Sequence, residues 1–231
     1  MYGPELAAVH AAGFTAVAHA AARELRQHLR AGVVVDLGCG AGDLLAALPR
    51  RFEKHGIDIS PAMLELARRA VPEASFTLGS ATTASLPRCD AVTAIGEVFS
   101  FAAAQDSRAA VAAAFRRIHA ALRPGGVLLL DVASPGRAAE STSAKRHGDG
   151  WRVQASARED GDTLVRTIDA WWTTPGGERH SQEVHQLALL DETWMLEHLQ
   201  AAGFAVEAMG AYDDYALQVG WDAYCATRIA G

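Results

Sequence analysis

Hydrophobic and polar positions follow two alternating rhythms through the first 130 residues. Leu6, Val9, Phe14, Val17, Ala21, Leu25 and Leu29 recur close to every 3.6 residues, which predicts helix over 5–30, in two pieces broken near Gly13. Val33-Val34-Val35-Asp36-Leu37 then makes a short β-branched run, the pattern of a parallel strand buried on both faces. The alternation repeats, with a helix expected near 42–49 and a strand over 55–59. Ser60-Pro61 suits a helix start, a hydroxyl at the N-cap and a proline at the first helical position, and Met63, Leu64, Leu66 and Ala67 supply its apolar side. Strands are expected at 75–78, 90–95 and 127–131, and a strong helix at 107–122 through Val111, Phe115, Ile118 and Leu122. Strand–helix alternation of this kind predicts an α/β fold, a parallel sheet with helices on both faces.

Beyond residue 135 the rhythm changes. Residues 134–150 are rich in Ser, Gly and charge and read as a mobile connection. Period-2 runs at 151–153, 164–172 and 183–189, separated by Asp160-Gly161-Asp162 and Pro175-Gly176-Gly177, predict antiparallel strands. A helix over Asp191–Ala202, stopped by Gly203, and strands at 204–209 and 221–229 close the chain.

Composition narrows the function. Half of the 231 residues are hydrophobic and the formal charge is −6, so there is no basic footprint for nucleic acid or an anionic membrane. The 19 Arg, 2 Lys and 48 Ala suggest bacterial coding at high GC. Cys39, Cys89 and Cys225 have no zinc-type spacing, and their odd number fits a reducing compartment. The first residues lack the basic and apolar regions of a signal peptide, and no apolar run reaches the roughly 20 residues of a membrane span. These features predict a cytoplasmic protein, monomer or homodimer, without a metal.

Two motifs carry chemistry. Asp36-Leu37-Gly38-Cys39-Gly40-Ala41-Gly42 follows the first strand and opens a helix, and its glycines let the backbone approach a ligand closely. The sixth position of a G-x-G-x-x-G fingerprint falls on Asp43 or Leu45, which disfavours a dinucleotide, and the GK[ST] of a P-loop is absent. Asp58 stands twenty residues beyond Gly38 at a strand end, where a carboxylate can accept both hydroxyls of a ribose.

The segments VVDLGCGAGDL, GIDISPAMLELAR, CDAVTAIGEVFSF and HAALRPGGVLLLDVASPG, in that order, resemble the class I S-adenosylmethionine-dependent methyltransferases. The likeness is strong over 33–135 and looser over 191–229. It implies a doubly wound, mainly parallel seven-stranded sheet whose last strand runs antiparallel. The expected organisation is a helical lid at 1–32, a cofactor-binding core of 33–135 and 191–231, and an inserted antiparallel β lid at 136–190. The resemblance places Gly38, Cys39 and Gly40 under the methionine part of S-adenosylmethionine, with Asp36 steadying the loop. Asp58 holds the ribose, and Ile59 and Met63 flank the adenine. Ser80 stands where the family often has an acid for the adenine amino group, so that contact leans on Ala81 as well, since a serine accepts more weakly than a carboxylate. Gly96 and Glu97 end the fourth strand, where the methyl group is to point.

Glu97 is then a candidate to orient an acceptor, or to act as general base where its pKa is raised; a salt-bridged Glu without chemistry is the alternative. Tyr2 and His10 on the N-terminal segment are candidates to close on the cofactor or serve the substrate, and His19 is a weaker one. Glu183 and His185, two apart on one strand, share a face and are expected to look inward, with Arg166 and Trp172 on the neighbouring strand. The reaction expected is methyl transfer to a small molecule, with the acceptor atom (O, N or C) open. A cofactor-binding scaffold or rearrangement catalyst is the alternative.

Overall fold

The computed structural model describes residues 4–139, 144–148 and 150–229, with side chains described from residue 15 onward except at 144–146. In chain order the elements are α1 (Pro4–His28), β1 (Gly32–Leu37), α2 (Asp43–Ala47), β2 (Phe52–Asp58), α3 (Pro61–Ala70), β3 (Ser75–Leu78), β4 (Cys89–Ala94), α4 (Val98–Gln105), α5 (Arg108–Ala121) and β5 (Leu122–Ala133). Then follow β6 (Ala144–Gly148), β7 (Trp151–Asp160), β8 (Thr163–Thr174), β9 (Gly177–Ala188), α6 (Glu192–Ala201), β10 (Phe204–Met209), β11 (Ala211–Tyr212), β12 (Tyr215–Ala216) and β13 (Trp221–Arg228).

Seven strands form one sheet in the order β10-β13-β5-β4-β1-β2-β3. Only β13 runs against its neighbours, paired antiparallel with both β5 and β10. Alternation along the strands sorts side chains onto two faces. Val35, Val92, Leu128 and Leu130 pack with Phe99, Phe115, Ile118 and Met195 of α4, α5 and α6. Val34, Ala91, Val127 and Leu129 pack with Val17, Ala21 and Leu25 of α1 and Leu44 and Leu45 of α2. The chain winds outward from β1 through β2 to β3, then returns to β4 and β5 on the other side. That reversal opens a crevice beyond the carboxyl ends of β1 and β4, where such sheets bind ligands.

A second, four-stranded antiparallel sheet, β6-β7-β8-β9, is inserted between β5 and α6. The register of β8 with β9 places Arg166 opposite His185 and Ile168 opposite Glu183.

Several expectations need correction. α1 runs unbroken through Gly13, because one glycine costs only about 1 kcal/mol in an otherwise Ala-rich helix. Residues 144–148, expected in a mobile connection, form β6 through pairing with β7. β5 begins at Leu122 and absorbs the Pro124-Gly125-Gly126 turn as an irregularity against β4, between Cys89 and Ala91. α4 was not expected: Val98-Phe99-Ser100-Phe101-Ala102-Ala103-Ala104 has no polar face and so no helical period. No helix among the described residues is long and apolar enough to cross a membrane.

Candidate active site

The glycine loop is shaped by its backbone. Gly38 and Gly40 take φ of +66° and +53°, a region that costs other residues energy. The N–H groups of Gly38 and Cys39 donate to the Ile57 carbonyl at 2.8 and 3.1 Å, tying the loop to the end of β2. A Cβ on Gly38 would strike Val98 Cγ2 at 2.5 Å, whereas one on Gly40 or Gly96 meets nothing within 4 Å. Gly38 is therefore required by packing, and Gly40 and Gly96 border open space.

Asp58 clamps this loop. Its carboxylate accepts the Gly40 N–H at 2.9 Å and the Ser60 N–H at 2.7 Å, and Ser60 caps α3 by accepting from Met63 N–H at 3.4 Å. Burial raises the Asp58 carboxyl from its ordinary value, against these N–H donors. Asp36 is buried beneath the loop, accepting from Thr93 Oγ1 at 2.6 Å, and burial pushes its pKa up to about 7.

Around these groups lies a cavity of about 550 Å³, within the range typical of small-molecule sites. Asp36, Gly38, Cys39, Gly40, Asp58, Ile59, Met63, Ser80, Ala81 and Gly96 all line it, so ten residues singled out from the sequence are brought together. Val17 and Ala18 of α1 line it too. His185 reaches the same cavity from β9, with Val184 and Gln186, while Phe101 and Gln105 come from α4. Glu183 holds His185 Nε2 at 2.8 Å, and the Phe101 ring meets the imidazole edge-on at 5.6 Å between centroids. Burial lowers the His185 pKa, against the Glu183 carboxylate, which raises it.

Other candidates fall elsewhere. Tyr2 lies outside the described residues, and so does the side chain of His10, whose backbone is in α1. His19 is exposed and Trp172 stands opposite Arg179, and neither lines the cavity.

Glu97 has a different place from the one expected of a base. It does not line the cavity; it is 2% exposed and bound by Arg137 Nε at 2.6 Å and Arg166 Nη2 at 2.8 Å. Burial alone would raise its carboxyl, but the Arg166 and Arg137 charges outweigh burial and hold it below the usual value. The raised pKa that a general base requires is absent. Glu97 also takes a left-handed φ of +64° after Gly96 at +92°. Asp131 at the end of β5 stabilises that turn by accepting the N–H groups of Gly96 at 3.0 Å and Glu97 at 2.6 Å, and the Tyr212 hydroxyl at 3.1 Å.

Residues 34–126 match the model of a methyltransferase domain. That stretch is a methyltransferase domain, and the fold around it is the one seen in S-adenosylmethionine-dependent methyltransferases. It is 34% identical over 113 residues to a trans-aconitate 2-methyltransferase of Methylobacterium radiotolerans, covering 48% of this chain and 40% of that protein. The chain thus spans about two fifths of that relative's length. It is 29% identical over 196 residues to the dTDP-3-amino-3,6-dideoxy-alpha-D-glucopyranose N,N-dimethyltransferase of Streptomyces fradiae, covering 80% of this chain and 75% of that one. The solved structure of S-adenosylmethionine-bound CalS10, an amino pentose methyltransferase of Micromonospora echinaspora, is similar over 99% of this chain and 98% of that chain, at 25% identity and a TM-score of 0.79.

The residues around this cavity fit S-adenosylmethionine. The open space beside Gly40 and Gly96 admits close approach to the backbone. An ionised carboxylate accepts about four hydrogen bonds, and Asp58 spends part of that capacity on the N–H groups of Gly40, Ser60 and Ile59, leaving room for a ribose hydroxyl. Ile59, 46% exposed, offers apolar surface to a base, whereas Met63, which also lines the cavity, is 2% exposed and offers little.

Sequence reasoning missed Phe101, Gln105 and Gln186. The first two sit on α4, which had no periodic signal, and Gln186 is one of many polar residues on β9.

Proposed function

We propose that this methyltransferase transfers a methyl group from S-adenosylmethionine to the amino group of a small amino sugar. The observation that carries this reading is that no cationic side chain among the described residues lines the cavity. Among the described residues its lining includes Asp36, Asp43 and Asp58 but no Lys or Arg. Arg137 and Arg166, at the root and on the third strand of the inserted sheet, are bound to Glu97. A tricarboxylate such as trans-aconitate needs cationic partners to leave water, whereas an amine does not. The amino-sugar activities in the names of two relatives support the same choice.

When bound, the cofactor supplies a methyl group already activated by the sulfonium. What remains for the protein is to hold the acceptor in line, exclude water and accept one proton. His185 suits the last task, because burial keeps its imidazole neutral near pH 7 and Glu183 fixes its orientation. Phe101 and Val184 supply the apolar wall, and Gln105 and Gln186 supply neutral donors and acceptors for sugar hydroxyls.

The test is incubation of the protein and S-adenosylmethionine with a panel of amino sugars, their nucleotide-linked forms and trans-aconitate, following S-adenosylhomocysteine and methylated product by mass spectrometry. N-methylated sugar is the expected product. Turnover of trans-aconitate alone overturns the proposal.

A further inference from the structure

The position that the family often fills with an acid for the adenine amino group holds Ser80, and the hydrogen bonds around it assign its proton. Ser80 Oγ lies 2.8 Å from Thr82 Oγ1 and accepts the Thr82 N–H at 3.2 Å. The Thr82 hydroxyl in turn donates to the carboxylate of Asp106. Thr82 is 3% exposed, and Asp106 caps the C-terminal end of α4, its N–H on the Ala102 carbonyl at 2.8 Å.

A hydroxyl has one proton to give. Thr82 gives its proton to Asp106, which as a carboxylate can only accept. The proton between Thr82 and Ser80 must therefore come from Ser80. That leaves the Ser80 oxygen with no donor for the cavity it lines and with one lone pair still available there. Gly79, Ala81, Asp58 and Ile59 line the same end of the cavity.

We propose that Asp106, acting through Thr82, fixes Ser80 as a hydrogen-bond acceptor toward the cavity and so makes the site select a 6-amino purine over a 6-oxo purine. This rests on the reading that the cavity holds the adenosyl cofactor. Asp106 is a positioning residue: an acid absent at position 80 is replaced by one two hydroxyls away. An adenine 6-amino group meets the acceptor it needs. A hypoxanthine oxygen meets a second acceptor and stays unsatisfied. Without Asp106 the Thr82 proton can turn to Ser80, the Ser80 proton can turn to the cavity, and the discrimination is lost. Gln105 also lines the cavity, but its amide presents both a donor and an acceptor and cannot impose the preference alone.

The test is calorimetric measurement of the dissociation constants of S-adenosylhomocysteine and S-inosylhomocysteine for the full chain and for Asp106→Ala, Asp106→Asn and Thr82→Val. The wild-type chain is expected to prefer the adenosyl ligand by at least about tenfold. Asp106→Ala and Thr82→Val should each lower that ratio at least about fivefold. Asp106→Asn should keep it, because the amide oxygen still accepts the Thr82 hydroxyl. A ratio unchanged in Asp106→Ala and Thr82→Val overturns the proposal, as does an Asp106→Asn chain that behaves like the alanine variant. Should Asp106→Ala fail to fold, the near-isosteric Thr82→Val, which leaves the end of α4 intact, decides alone. A wild-type chain that binds neither ligand overturns the cofactor reading and this proposal together. One that binds the adenosyl ligand with the same ratio in every variant overturns this proposal only.

Discussion

Arg166 stands directly opposite His185 across the β8–β9 ladder, and its guanidinium is bound by Glu97 beyond the end of β4. The inserted sheet is thus pinned to the core beside the imidazole that lines the cavity. Arg137, just past β5, makes the second half of the clamp and lies 4.8 Å from the centroid of the Trp221 ring. Glu97→Ala leaves two nearly buried guanidinium groups without their carboxylate and should cost about 3–5 kcal/mol of stability. Urea denaturation checks this; an unchanged midpoint rules out the clamp. The Glu97 carboxyl lies below its ordinary value in the folded chain, so its contribution is present above the unfolded pKa and is lost as pH falls through the lowered folded one.

Asp36 should show the opposite pH dependence. Its folded pKa is about 7 against 3.8 unfolded, so the folded chain holds the proton more tightly and loses stability as pH rises from about 4 to about 7. Asp36→Asn, which still accepts from Thr93, should therefore be more stable than the parent by ~2–4 kcal/mol at pH 8 without cofactor. The gap should close near pH 4. Thermal melts across that range decide it, and equal stability at both ends would remove the burial argument.

Asp58→Ala should weaken S-adenosylhomocysteine binding more than tenfold. The variant removes the acceptor of the Gly40 and Ser60 N–H groups as well as the partner expected for the ribose. Charge-assisted hydrogen bonds contribute about 1.5–3 kcal/mol each before losses. Calorimetry is the measurement, with circular dichroism to verify the fold; unaltered affinity sinks the ribose assignment.

Gly40→Val should abolish cofactor binding at a cost of only about 1–2 kcal/mol in stability, the strain of a left-handed backbone. The new side chain meets no protein atom near its Cβ and extends into open space. Normal binding by this variant would mean that the ligand does not approach the loop.

His185→Ala should lower turnover about 10²-fold or more while leaving cofactor affinity nearly unchanged. The acid limb of the kcat/KM profile that belongs to the imidazole, expected below its ordinary value because burial lowers it, should vanish in the variant. Equal losses of turnover and cofactor affinity would instead assign His185 to the cofactor side.

The sheet and its cofactor loop were legible in the sequence because they depend on local rules. β-branched runs make buried strands, Ser60-Pro61 starts a helix, and alternating glycines turn a loop, whatever the rest of the chain does. Period 2 likewise put Glu183 and His185 on one face before any partner strand was known. What tertiary structure alone decided was where charges meet. Glu97 reads the same in sequence whether it is a base or half of an ion pair. Its character depends on Arg137 and Arg166, forty and sixty-nine positions away, arriving at its two oxygens through the root and the third strand of the inserted sheet. α4 was hidden for a related reason: a helix apolar on nearly every side has no period, and only the packing of the fifth strand, α5 and the inserted sheet around it gives those residues a reason to be apolar. Burial and pairing are sums over distant parts of the chain, so they are fixed only when the chain has folded.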